Sequence, residues 1–365
     1  MRNQTHTEGT VTEDNSAHSR SFEVQHYKNM VHGTICILIV IALFVVCLGI
    51  GRVNIIPQDV VGILATHFFG AAGNWTQAAT NIVCKIRLPR LIAAVLVGSA
   101  LAISGASYQG LFRNPMVSPD ILGASAGASF GAALTLLWDF SSRGIQIMAF
   151  VMGFIAVTIT YVSARSIGRS SNQILLLVLC GLIVGTLFQA LVSIIKYTAD
   201  PESKLPEITY WLMGSIAKVT WEDLRVFMVP YLIGIIPLIL LRWRLNSLSF
   251  GDPEAASLGV NVTLLRGIFI LCSTLLTSAV VAIAGVIGWV GLIIPHLVRF
   301  IFGPNNQVVL PMSLFVGAGF MILVDTVCRS ISASEIPLGI LTAIIGAPFF
   351  FFILFRTQRG LKGEE

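Results

Sequence analysis

The amino-acid sequence predicts an all-α integral membrane protein with about ten transmembrane helices, and three observations lead there. Charged residues make up only 11% of its 365 residues, where a soluble domain carries roughly 25%. Hydrophobic residues make up 55% and the mean hydropathy is +0.84, too little polar surface to cover a water-soluble globule. Apolar runs recur between polar breaks, each long enough for a ~30 Å hydrocarbon core at about 20 residues per crossing. A soluble enzyme is excluded. The net charge of +5 follows from Lys/Arg around the spans rather than from a nucleic-acid partner, and none is expected.

Residues 1–30 are polar without an apolar face, which predicts a disordered cytoplasmic tail. The first apolar run, Ile35 to Ile50, has no small-residue cleavage site after it, so it reads as a retained span. Ten spans follow near 34–51, 90–110, 120–138, 145–165, 174–195, 225–242, 264–285, 287–302, 308–328 and 338–355. The membrane domain then covers 31–358, and 359–365 form a short second cytoplasmic tail. An even span count puts both termini on one side. With that side inside, 13 of the 23 Lys/Arg are inner, a weak positive-inside bias. The outer positives therefore need another cause, and Lys85, Arg87 and Arg90 cluster before the second span while Arg329 ends the ninth.

Small-residue runs such as Gly98-Ser-Ala100 and Gly123-Ala-Ser-Ala-Gly127 favour close helix packing. Ser99 to Gly105 is echoed by Ser278 to Gly285, each with a proline ten residues after the glycine. Those runs lie five spans apart, so spans 2–5 and 7–10 read as halves of an inverted repeat. The six cysteines have no CxxC spacing and read as small buried hydrophobes, with Cys84 and Cys328 both near outer span ends.

No GxxxxGK[ST] loop occurs, so ATP is not bound by that route. A DxxxD aspartate pair and an HExxH motif are likewise missing, which disfavours a membrane enzyme; no catalytic residue and no metal ligand is assigned. The spans hold almost no acids, which weighs against an ion-coupled carrier working alone, the main alternative. Asp325 is the exception, and it can pair with Arg329 at i,i+4.

The most polar inner connection is RWRLNSLSFGDPEAASLGVNVTLLR. Asp252 can cap a short surface helix there, with Pro253 at its first position, Glu254 in its first turn and Gly259 closing it. The pattern suits a plain linker helix or a knob for a cytoplasmic partner, in which Ala255, Ala256, Ser257 and Gly259 permit close contact and Leu258 offers an apolar anchor.

Seven motifs in one order carry a resemblance. They are Arg87-Leu-Pro-Arg90, Gly105-Ala-Ser-Tyr-Gln109, Arg113-Asn-Pro115, Pro119-Asp-Ile-Leu-Gly123, the SFGDPEAASLGV connection, Gly288-Trp-Val-Gly-Leu292 with Pro295-His-x-x-Arg299, and Pro337-Leu-Gly339 with Gly346-Ala-Pro348. Together they resemble the permease subunit of bacterial ATP-binding-cassette importers for iron-siderophores, haem and cobalamin, the FecCD-type family, over residues of about 34 to 358.

The resemblance implies a multi-pass protein of the bacterial inner membrane, paired with a second permease copy or a paralogue. Two cytoplasmic ATPases, which would hold the ATP and Mg²⁺, and an external substrate-binding protein complete such a transporter. It implies that Gly251 to Gly259, with Asp252, Glu254, Ala255, Ala256 and Leu258, is the coupling helix. It implies that Arg87, Arg90 and Arg329 receive glutamates of the binding protein, which would account for the outer positives. Asn114 and Met116, with Ser170, Ser171 and Asn172, map onto the inner gate; Gly181, Gly185, Gln189 and Ser193 on span 5 are pathway candidates at i, i+4, i+8 and i+12. His296 and Arg299 read as inner-end packing. The implied cargo is an iron-siderophore, with haem, cobalamin and molybdate behind it.

Overall fold

The computed structural model describes residues 31–168, 173–332 and 334–362. Seven helices among them are long and apolar enough to cross a membrane: α1 (Val31–Gly49), the continuous α3–α4 rod (Gln77–Leu111), α6 (Ser142–Ile167), α7 (Gln173–Thr198), α9 (Trp221–Leu240), α12 (Val262–Ala284) and α14 (Asn306–Ile331). Two shorter apolar helices, α5 (Ala124–Leu137) and α13 (Val290–Phe302), and the apolar stretch Leu338–Phe352 of α15 (Leu338–Lys362) complete the ten expected spans in the expected order. Between them lie short surface helices: α2 (Pro57–Phe69), α8 (Lys204–Leu212), α10 (Arg242–Leu248) and α11 (Asp252–Ser257). The end carrying α10 and α11 is called inner here and the opposite end outer.

The largest departure from the sequence reading is at span 2. Its helix begins at Gln77 rather than near 90, because α3 (Gln77–Asn81) runs through a π-helical stretch, Ile82–Arg87, into α4 (Leu88–Leu111) without a break. Lys85, Arg87 and Arg90 look like a polar connection in one dimension. They are three positions on a helix, and only Lys85 faces out.

α4 is the central helix, buried nearly along its whole length and packed on α9, α12, α13 and α14. Its small residues allow this, since helices in lipid associate by close van der Waals contact. A Cβ on Gly105 would collide with the Gly291 carbonyl of α13, and one on Gly98 with the Gly317 carbonyl of α14.

The internal echo has a packing counterpart. α4 packs on α13 and α14, and α12 packs on α5 and α6, the matching members of the other half. Seven residues before the paired glycines Gly105 and Gly285 stand Gly98 and Ser278. Gly98 abuts Gly317 of α14, while Ser278 abuts Gly153 of α6, where a Cβ would lie 2.8 Å from its Oγ. The echo ends at the prolines: Pro115 lies in a turn, whereas Pro295 lies inside α13. All six cysteines are free thiols, and Cys84 and Cys328 are buried without pairing.

Candidate functional site

At the inner end, α11 begins on Gly251, whose φ of +125° is open only to glycine at low cost. The expected cap, Asp252, instead occupies the first helical position and turns its carboxylate aside. Arg266 Nη2 of α12 donates to both Asp252 oxygens at 2.9 Å, and Nη1 donates to Gln173 Oε1 of α7 at 3.0 Å. Arg266 is only 4% exposed, so one buried guanidinium ties the surface helix to the inner ends of two spans. Among the remaining coupling-helix candidates, Ala255 is buried against the body, whereas Glu254, Ala256, Leu258 and Gly259 are exposed. Leu258 is 64% exposed, an apolar knob left uncovered by the described residues. Gly259 closes the helix at φ +77°.

The turn after α4 is ordered by Asn114, whose Oδ1 accepts from the Met116 amide at 2.9 Å while its own amide donates to Gln109 O at 3.1 Å. This leaves Met116 projecting, 52% exposed. A 3-10 turn, Pro119–Leu122, follows and presses on α7: a Cβ on Gly181 would collide with the Ile121 carbonyl. The Ser125 hydroxyl donates to the Asp120 carboxylate. Ser125 stands in a Gly-x-Ser-x-Gly spacing, but its hydroxyl is spent on this local bond. The remaining gate candidates, Ser170, Ser171 and Asn172, lie outside the described residues. Arg299 packs inward, donating to Gln109 Oε1 and the Ala106 carbonyl.

The four pathway candidates on α7 do not share one face. Each four-residue step advances about 40° round a helix, so Ser193 lies about 120° from Gly181. Gly181 is buried against the 3-10 turn and Gly185 is half-buried, while Gln189 and Ser193 are exposed. Gly181 therefore serves close packing, and the exposed face is carried by Gln189 and Ser193.

At the outer end the three arginines come together, but not on the surface: Arg87, Arg90 and Arg329 are 6%, 6% and 5% exposed. Arg87 donates to the carbonyls of Leu48 (2.8 Å), Gly49 (2.9 Å) and Val53 (2.5 Å). Arg329 donates to the Cys47 carbonyl and to Thr326 Oγ1. The Cys47, Leu48 and Gly49 carbonyls belong to the last turn of α1, which lacks intrahelical donors and where the helix dipole favours a cation. Arg90 Nε meets Asp325 at 2.7 Å and its Nη1 meets Glu335 at 2.8 Å, while Asp325 also lies 3.6 Å from Arg329. In this chain all three arginines named for docking are buried and bonded to groups of the chain itself. The i,i+4 partner of Asp325 was visible in sequence; its closer partner Arg90 was not.

Residues 38–356 match the FecCD transport family. The chain is 42% identical over 338 residues to the molybdate import system permease protein MolB of Haemophilus influenzae, covering 93% of this chain and 98% of that one. It is 41% identical over 277 residues to a probable iron chelatin transport system permease protein of Helicobacter pylori, covering 76% and 83%. A solved structure described as an inward-facing conformation of a putative metal-chelate type ABC transporter superposes with a TM-score of 0.79 at 40% identity, covering 89% of this chain and 98% of that one. With its apolar helices, four of them packed on the buried α4, and this match along nearly their whole length, the chain is a multi-pass membrane protein of the FecCD transport family.

Proposed function

We propose that the chain is the membrane-spanning permease subunit of a binding-protein-dependent, ATP-driven importer in a bacterial inner membrane, and that its cargo is an iron chelate. The observation that carries this reading is α11: a short helix at the inner surface, its exposed Leu258 free for a partner, braced through Asp252 and Arg266 to α12 and α7. A force applied to α11 by a cytoplasmic ATPase reaches two spans through one guanidinium. The ATPase pair supplies ATP and Mg²⁺; a second copy or a paralogue of this chain completes the pathway, with Asn114 and Met116 at its inner mouth and Gln189 and Ser193 along it.

The outer arginines keep a place in this reading in altered form. Three guanidiniums face two carboxylates, Asp325 and Glu335, and the excess positive charge favours approach of an acidic binding protein. A direct bond from that protein would have to displace the partly exposed Glu335 from Arg90. A second cargo, molybdate, is favoured by the relative that matches over 98% of its own length.

Proteoliposomes holding this chain, its ATPase and its binding protein should take up a radiolabelled ferric siderophore only with ATP. Uptake by this chain alone under an ion gradient would overturn the reading in favour of a secondary carrier, and ATP-driven uptake of molybdate but not of the siderophore would replace the cargo.

A further inference from the structure

Between α6, α9 and α12, on the outer surface of the helix bundle and with no residue of α4 in its lining, lies a groove of about 730 Å³. Its walls are exposed apolar side chains, Ile147 of α6 and Val226, Val229 and Ile233 of α9, and its floor is the small pair Ala279 and Ala282 of α12. Small floor residues make the hollow, since larger ones would fill it. Polar groups gather only at its outer mouth, where Arg143, Gln146, Asp223 and Arg225 stand.

The dimensions follow the bilayer. α9 starts at Trp221, an interfacial residue type, and Ile233 lies twelve residues below it, a rise of about 18 Å. From Ile283 to Leu275, the groove's reach along α12, the rise is about 12 Å. Half of a ~30 Å hydrocarbon core is about 15 Å. The groove therefore spans one leaflet, polar at headgroup level and apolar toward the midplane.

The charges at the mouth are unequal in what they have left to give. Glu222 is paired with Arg143, and Asp223 accepts from Gln146 Nε2 at 2.8 Å and from the Thr220 amide and hydroxyl. Arg225 is exposed and makes no ion pair or hydrogen bond among the described residues. It is the cation left over, and a phosphodiester is its complement.

We propose that this groove binds one phospholipid of the outer leaflet, with its phosphodiester on Arg225 and an acyl chain laid over Ala279 and Ala282. The site is separate from α11 and from the pathway candidates, so it stands whichever cargo the protein carries.

Native mass spectrometry of the full-length protein, purified in mild detergent and supplied with palmitoyl-oleoyl phosphatidylglycerol, tests this. One lipid per chain should survive detergent exchange. Ala282→Phe, which fills the floor, and Arg225→Glu, which reverses the mouth, should each lower its retention at least five-fold, while Ile159→Phe, on lipid-facing α6 outside the groove, leaves it unchanged. Equal retention in all four proteins would mean general annular lipid and overturn the proposal. Arg225→Glu is a surface change, so it keeps the test decisive if Ala282→Phe fails to accumulate. Disulfide cross-linking of Ile233→Cys between two copies in native membranes would assign the groove to a protein neighbour instead, and would also overturn it.

Discussion

Asp325 is fully buried and stands between Arg90 and Arg329, so its charge is needed where it is. Removing one member of a buried ion pair leaves the other uncompensated, at a cost of about 3–5 kcal/mol. Asp325→Asn, which keeps the shape and removes the charge, should therefore lower the thermal unfolding midpoint in detergent strongly. Glu335→Gln, at a carboxylate 28% exposed, should cost about 1 kcal/mol or less. Equal shifts for the two would show that the cluster is not an internal clamp. The sequence shows the Arg329 partnership because it is local. It hides Arg90, 235 residues away, because only the packing of α4 on α14 brings the two together. The same limit applies to Asp252, whose position suits a helix cap until Arg266 of α12 is folded beside it.

Helices were legible to within a few residues wherever an apolar run ended on a polar one. The reading failed where charge was folded into a helix, as at Arg87 and Arg90, and where surface helices such as α2 and α8 had no membrane-length run to mark them. On α7 a spacing of four drifts about 40° per step, so Gly181 ends on a packed side of the helix and Ser193 on an exposed one. The small residues of α4 were legible as packing positions, and Gly105 is the sharpest case. Gly105→Leu should force α4 from α13 at the Gly291 carbonyl and cost at least about 3 kcal/mol, read as a sharp fall in protein accumulating in the membrane. Gly259→Ala, at a glycine with no atom within 4 Å of the added carbon, should leave accumulation near normal, with only the modest strain of its positive φ.

Across the whole molecule, two bundles of like pairing meet at α4 and α12, and α11 presents the exposed Leu258 at the inner surface. If α11 is the point of drive, Leu258→Glu should leave folding and membrane insertion intact, since Leu258 touches little of its own chain. The same change should abolish the stimulation of the partner ATPase by loaded binding protein in proteoliposomes; stimulation at the wild-type level would remove α11 from the mechanism. Arg266→Ala should weaken transport more than ATP hydrolysis, because the brace to α7 is lost while Leu258 still engages.

The capping of α1 has a consequence for how the protein is made. α1 is the least enclosed of the long spans, and of the carbonyls at its outer end its own loop reaches only Gly49, through the Ile55 amide, while Arg87 and Arg329 hold Leu48, Gly49 and Cys47. The second of these lies 282 residues beyond Cys47, a delay of roughly 15–60 s at ordinary rates of synthesis. Throughout that interval the first span to enter the bilayer waits with its end only partly satisfied, and it is locked in place when the ninth span arrives, so the chain's earliest segment is among its last to be secured.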